Sequence, residues 1–143
     1  MAGFKSIAVD IKTAFNAALA ASQPGVNIYW PNNPKGDDGL QPGTTEEFIM
    51  AAILEAPTAI LPEIGSRLAN VRGLVIVSVF TPKGLGDDRN REICDSVRDA
   101  LQGQQHGDAW FGGSRRDPRG VESKPTHFQA NVNTPFRFES TPV

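Results

Sequence analysis

Gly84-Leu85-Gly86, directly before a helix-like run, is the first stretch where residue types and spacing could do chemistry. Backbone N–H groups at a helix start attract anions such as phosphate. The rest of a nucleotide-binding pattern is missing. A dinucleotide fingerprint needs a third glycine three residues on, where Arg89 stands, and no Gly-Lys-Ser/Thr run occurs. Asp87 and Asp88 follow the turn and would repel a phosphate. A tight turn is the better reading. The acidic pairs Asp37-Asp38 and Asp87-Asp88 lack the alternating ligands and closing Glu of a calcium loop, so they read as a solvated loop and a helix cap. His106 and His127 lie far apart in the chain, and Ser96, Ser114 and Ser123 have no nucleophile motif around them. Cys94 is the single cysteine; it can form no internal disulfide and reads as a buried thiol. No catalytic residue, metal ligand or cofactor site is expected.

What remains is surface. Arg115, Arg116 and Arg119 form the one basic cluster, on a Gly-rich stretch from Gly112 to Gly120 that reads as a loop. Such a cluster could touch nucleic acid or an acidic partner, or lie solvated. Trp110-Phe111, just before it, could anchor an interface or pack in the core. Ile60 and Leu61 sit in the connection 56–70, which is too apolar for a plain linker and is expected to pack on the domain edge or a neighbour. Ile60, Leu61, Trp110, Phe111, Arg115, Arg116 and Arg119 are the interface candidates.

The bulk numbers narrow the class. At 143 residues the chain is long enough for one domain, 1–143, with a real core. A net charge of -2 provides no general footprint for tight binding to nucleic acid or an anionic membrane. No window approaches the ~18 apolar residues of a membrane span. Met1 to Lys5 does not open a basic region followed by an apolar core, so no secretory signal is expected, and folding in a reducing cytoplasm is.

The elements that position these residues follow from periodicity. Phe4, Ile7, Ala8, Ile11, Phe15 and Leu19 share one face of a helix over 3–21, which Pro24-Gly25 stops. Residues 26–30 alternate as a short strand. Residues 31–45 form a long polar loop, of a length often used for binding. Residues 46–55 read as a strand leading by a hairpin or meander into Arg72–Phe80, whose two apolar faces predict an interior strand covered on both sides. A helix over 87–101 buries Ile93, Val97, Ala100 and Leu101 and ends at Gly103. Residues 108–111, 121–129 and 131–139 read as three more strands, with Pro125 and Pro135 at edges or bulges. The order is α-β-β-β-α-β-β-β. The expected class is α+β: a single mostly antiparallel sheet packed against two helices, with long loops.

The run Arg72-Gly73-Leu74-Val75-Ile76-Val77-Ser78-Val79-Phe80-Thr81-Pro82-Lys83-Gly84-Leu85-Gly86 resembles a signature of the tail terminator proteins of long-tailed bacteriophages. In that family an Arg-Gly strand leads into a Pro-x-Gly-x-Gly turn and a helix carrying an acidic residue that matches Asp95. The opening helix and the strand Asn133-Thr134-Pro135-Phe136-Arg137-Phe138 are similar as well. Residues 31–45 match nothing in the pattern.

The resemblance implies a structural virion protein, assembled in the host bacterial cytoplasm, without cofactor, catalysis or membrane. Such proteins form a homo-oligomeric ring, typically a hexamer, on the head-proximal end of the tail tube. The ring ends polymerisation of the tube protein, offers a surface to the neck or connector protein, and lets DNA pass through its lumen. The alternatives are another neck component such as a head–tail connector or stopper, a small enzyme, and a monomeric binding module.

Overall fold

The computed structural model describes residues 4–30, 46–55, 59–60, 69–84, 86–120 and 127–140. The loop expected over 31–45, Leu61, and the first six residues of the strand expected over 121–129, Pro125 among them, lie outside these residues.

Two 14-residue strands form the spine. β4 (Ala69–Pro82) and β8 (His127–Ser140) pair antiparallel along their whole length, from Ala69 opposite Ser140 to Pro82 opposite His127. Alternation sends Val71, Val75, Val77 and Val79 to one face of β4 and Val132, Phe136 and Phe138 to the same face of β8, all buried. β2 (Phe48–Glu55) pairs antiparallel with the other side of β4, and β1 (Asn27–Tyr29) adds to β2 in parallel. The two-residue β3 (Ala59–Ile60) pairs with the start of β4. Beyond β8 lie β6 (Ala109–Phe111) and then β5 (Gln105–His106), while β7 (Arg115–Gly120) pairs with a different stretch of β8. The α+β class and the mostly antiparallel sheet stand as expected; β3, β5 and β7 are additions to the expected order, and β8 takes the place of the last two expected strands. β5 and β6 are joined by the two residues Gly107-Asp108, where Gly107 takes φ 60°.

Both helices pack on the valine face. α1 (Phe4–Ser22) buries Ile7, Ile11, Phe15 and Leu19 at helical spacing. α2 (Gly86–Leu101) buries Ile93, Val97 and Leu101. These side chains and those of the inner sheet face form one core. Phe15 meets Trp30 edge to face at 5.8 Å, and the Trp30 indole N–H donates to Asn16 Oδ1.

Three expectations are corrected. First, β4 is central but is covered on both sides only towards its end, where Phe80 is buried on the second face against Phe48 and His127. Leu74 and Ile76 stay half-buried, and beside them on β2 Met50 and Leu54 are 40% and 51% exposed. No helix among the described residues covers this second face. Second, the stretch expected as a basic loop over 112–120 is a loop only at its start: Arg115 to Gly120 is a strand on β8, with a register shift between Pro118 and Gly120. A proline and a bulge suit an edge strand, and tertiary pairing overrides the poor strand propensity. Third, 127–140 is one strand, so the break expected at residue 130 does not exist. Pro135 fits within it because its carbonyl accepts from Gly112 N–H at 2.9 Å. A strand residue's N–H and C=O point the same way, so the donor Pro135 lacks would face the Gly112–Ser114 turn and not β4.

Candidate functional site

The residues whose types suggest chemistry have structural work and stand apart. His127 is buried against Phe48 and Phe80, and its Nε2 lies 2.9 Å from the Glu46 carbonyl. His106 Nε2 lies 2.8 Å from the Ala100 carbonyl, at the end of α2. Cys94 is 3% exposed, and burial pushes its thiol pKa up, opposing a thiolate. No cluster of three or more His, Cys, Asp or Glu is placed to hold a metal among the described residues. No helix among them is long and apolar enough to cross a membrane.

The interface candidates separate. Trp110 and Phe111 are neighbours on β6, so they point to opposite faces. Phe111 goes into the core at 6% exposure, against Phe136 and His106. Trp110 is 55% exposed on the second sheet face, away from the helices. Strand alternation likewise splits the arginines. Arg115 is exposed on the second sheet face, opposite Asn133. Arg116, opposite Val132, turns inward and donates to Asp87 Oδ1 at 2.8 Å and Asn90 Oδ1 at 3.1 Å. Arg116 therefore ties β7 to α2. Asn90, fully buried, completes that tie by donating to the Val79 carbonyl and Thr81 Oγ1 of β4. Ile60 pairs through its backbone with Ala69; its side chain and that of Arg119 lie outside the description.

Asp87 also accounts for the start of α2. Burial raises its pKa, but hydrogen bonds from Arg91 and Arg116 outweigh this and hold the carboxyl below its ordinary value. The helix N-terminus thus faces the chain's own carboxylates in its first turn, Asp87 and Asp88, which the helix dipole favours. Arg89 ties the other side of α2 down, with Nε 2.6 Å and Nη2 3.0 Å from the two oxygens of Glu47.

The second sheet face is buried at one end, around Phe48, Phe80 and His127, and exposed at the other, where neither described helix reaches it. Register aligns Arg72 of β4, Arg137 of β8 and Trp110 of β6 in one row across it. One step further along, Leu74 faces Pro135, with Leu54 on the flank. A hollow of about 420 Å³ opens here, lined by Arg72, Trp110, Gly112, Pro135 and Arg137, with Phe136 among its wall residues. Arg72 and Arg137 escaped the sequence reading because only the β4–β8 register brings them together. The Arg-Gly pair at 72–73 was the available signal for one of them.

No family model matches the chain, and no curated protein matches it. Solved structures do share its fold. One is a protein known by a sequence number alone, at 16% identity and TM-score 0.63, covering 94% of this chain and 96% of that one. Another is a chain from the virion of a native gene transfer agent particle, at 17% identity and TM-score 0.52, covering 91% of this chain and 92% of that one. At these identities the likeness establishes the fold, nearly end to end in both chains.

Proposed function

We propose that this chain is a structural virion protein that closes the head-proximal end of a phage-type tail tube as a ring of identical copies. The observation that carries the reading is the fold it shares with a gene transfer agent virion component over 91% of its length. Two further features support it. Within the run Arg72 to Gly86, which resembles the tail terminator signature, residues 72–82 lie in the central strand, Lys83 and Gly84 in a turn, and Gly86 opens α2. The described residues also present two unlike surfaces, the outer side of the helices and the exposed part of the second sheet face. A cyclic ring needs two unlike patches on each subunit, since its contacts are heterologous.

The work of such a ring is mechanical. It caps a growing tube, presents its outer surface to a neck protein, and leaves a channel for DNA. A net charge of -2 suits a channel that lets DNA slide. The test is deletion of the gene from the particle-forming element, followed by electron microscopy of the lysate. Tubes of uncontrolled length beside tailless heads are the expected result. Normal tailed particles would overturn the reading, and tubes of normal length without heads would point to a different neck protein.

A further inference from the structure

We infer that the exposed part of the second sheet face of one copy, around Arg72, Arg137 and Trp110, is the seat for the outer face of α2 of the next copy, so that the ring closes head to tail, sheet against helix. This rests on the ring reading above and names its contact. The sheet side is built for a partner. Arg72 and Arg137 stand directly opposite each other on adjacent strands, both exposed, and like charges in that position destabilise a sheet. Neither has an ion pair or side-chain hydrogen bond among the described residues. Beside them Trp110 is 55% exposed and Leu54, one step along, 51%; Met50, opposite Ser78 further along the same face, is 40% exposed. Glu139 shares this face two residues beyond Arg137 but makes no ion pair with either arginine among the described residues. Arginines beside exposed apolar side chains and a tryptophan have the composition of an interface centre.

The complement lies on the opposite side of the same molecule. Asp88, Glu92, Asp95 and Asp99 follow at steps of four, three and four along α2, which places them on one face of the helix, away from the core. Glu92, Asp95 and Asp99 have side chains 64%, 65% and 73% exposed. Arg98 meets Asp95 at 3.5 Å and Asp99 at 3.3 Å, and Arg89 meets Glu92 at 3.3 Å while committed more closely to Glu47. The stripe keeps an excess of negative charge. An acidic helix against a sheet with an arginine row is complementary; helix to helix or sheet to sheet would set like charges together. DNA would be drawn to the arginines as well, but phosphates give nothing to Leu54, Met50 or the Trp110 ring.

Charge reversal on each face and on both tests this. Full-length chain is prepared as Arg72→Glu/Arg137→Glu, as Glu92→Arg/Asp95→Arg, and with all four changes together. Assembly is read by native mass spectrometry in solution and by occupancy of isolated tails. Each single-face variant should assemble at least about tenfold more weakly than wild type, and the four-fold variant should recover most of that loss. Rings that ignore both reversals, or a four-fold variant as defective as the others, would overturn the contact while leaving the ring standing. Wild-type chain that forms no ring either free or on tails would remove the ring itself. Lost DNA retention with assembly unchanged would assign the arginines to the lumen and overturn the proposal. Circular dichroism checks folding. If a reversed chain fails to fold, Arg72→Gln/Arg137→Gln replaces it; weaker assembly with reduced salt dependence is then expected, and wild-type assembly would contradict the contact.

Discussion

Gly73 lies directly across the β4–β8 ladder from Phe136, and the Phe136 ring fills the space that a side chain on Gly73 would take. A Cβ there would overlap that ring and the carbonyl oxygen of Leu54. The Arg-Gly pair at 72–73 thus has a physical meaning. Arg72 goes outward to the second sheet face, where it is exposed, and the next residue must be small to admit an aromatic ring on the core side. Gly73→Ala is expected to cost about 1–3 kcal/mol, as overpacking does. Urea unfolding would show a lower midpoint with an unchanged slope. Trimming Phe136 to Ala in the same chain should relieve part of the loss, so the two changes will not add.

Val77 is fully buried between Ala51 and Val132 on the inner face. Val77→Asp would place a charge there with no partner. The expected loss exceeds about 4 kcal/mol, a large share of the stability of a typical domain. An unchanged melting temperature would contradict the assignment of this face.

The adjacent aromatics on β6 make a paired test. Phe111→Ala should cost about 3–5 kcal/mol as a core truncation. Trp110→Ala should change stability little while weakening assembly, because its ring is spent on the surface. Equal effects of the two on the unfolding midpoint would show that the strand does not face as described.

Asp87 gives the fold a pH-dependent tie. Its carboxyl is held below the ordinary value of 3.8, so the stability it contributes is present above that value and is lost as pH falls through the folded pKa. Asp87→Asn should therefore unfold more easily than wild type at neutral pH. The gap should narrow as pH drops below about 4, since wild type then loses the same charge. A gap that holds constant down to about pH 2 would mean that the ion pair with Arg116 is not its source.

The helices, the central strand and the turn between them were legible in the sequence because their apolar periodicity is strong. Ile7, Ile11, Phe15 and Leu19 read correctly as one buried face. β7 was not legible, because Arg115 to Gly120 has almost no strand propensity and is held by pairing with β8. The alternating apolar residues of β4 misled in a different way. Leu74 and Ile76 look like core, but apolar side chains are needed equally for a core and for a contact with another molecule. The arginine cluster at 115–116 was visible as letters and dissolved once alternation sent Arg116 inward. The row Arg72, Arg137, Trp110 could not be read at all before the strand register was known.

The most direct measurement is the location of the chain in the particle that carries it, by electron cryomicroscopy of intact tails. The account predicts one closed collar of this chain at the end nearest the head, with α2 of each copy against the sheet of the next. Copies distributed along the tube, or mature tails in which the chain is absent, would contradict it.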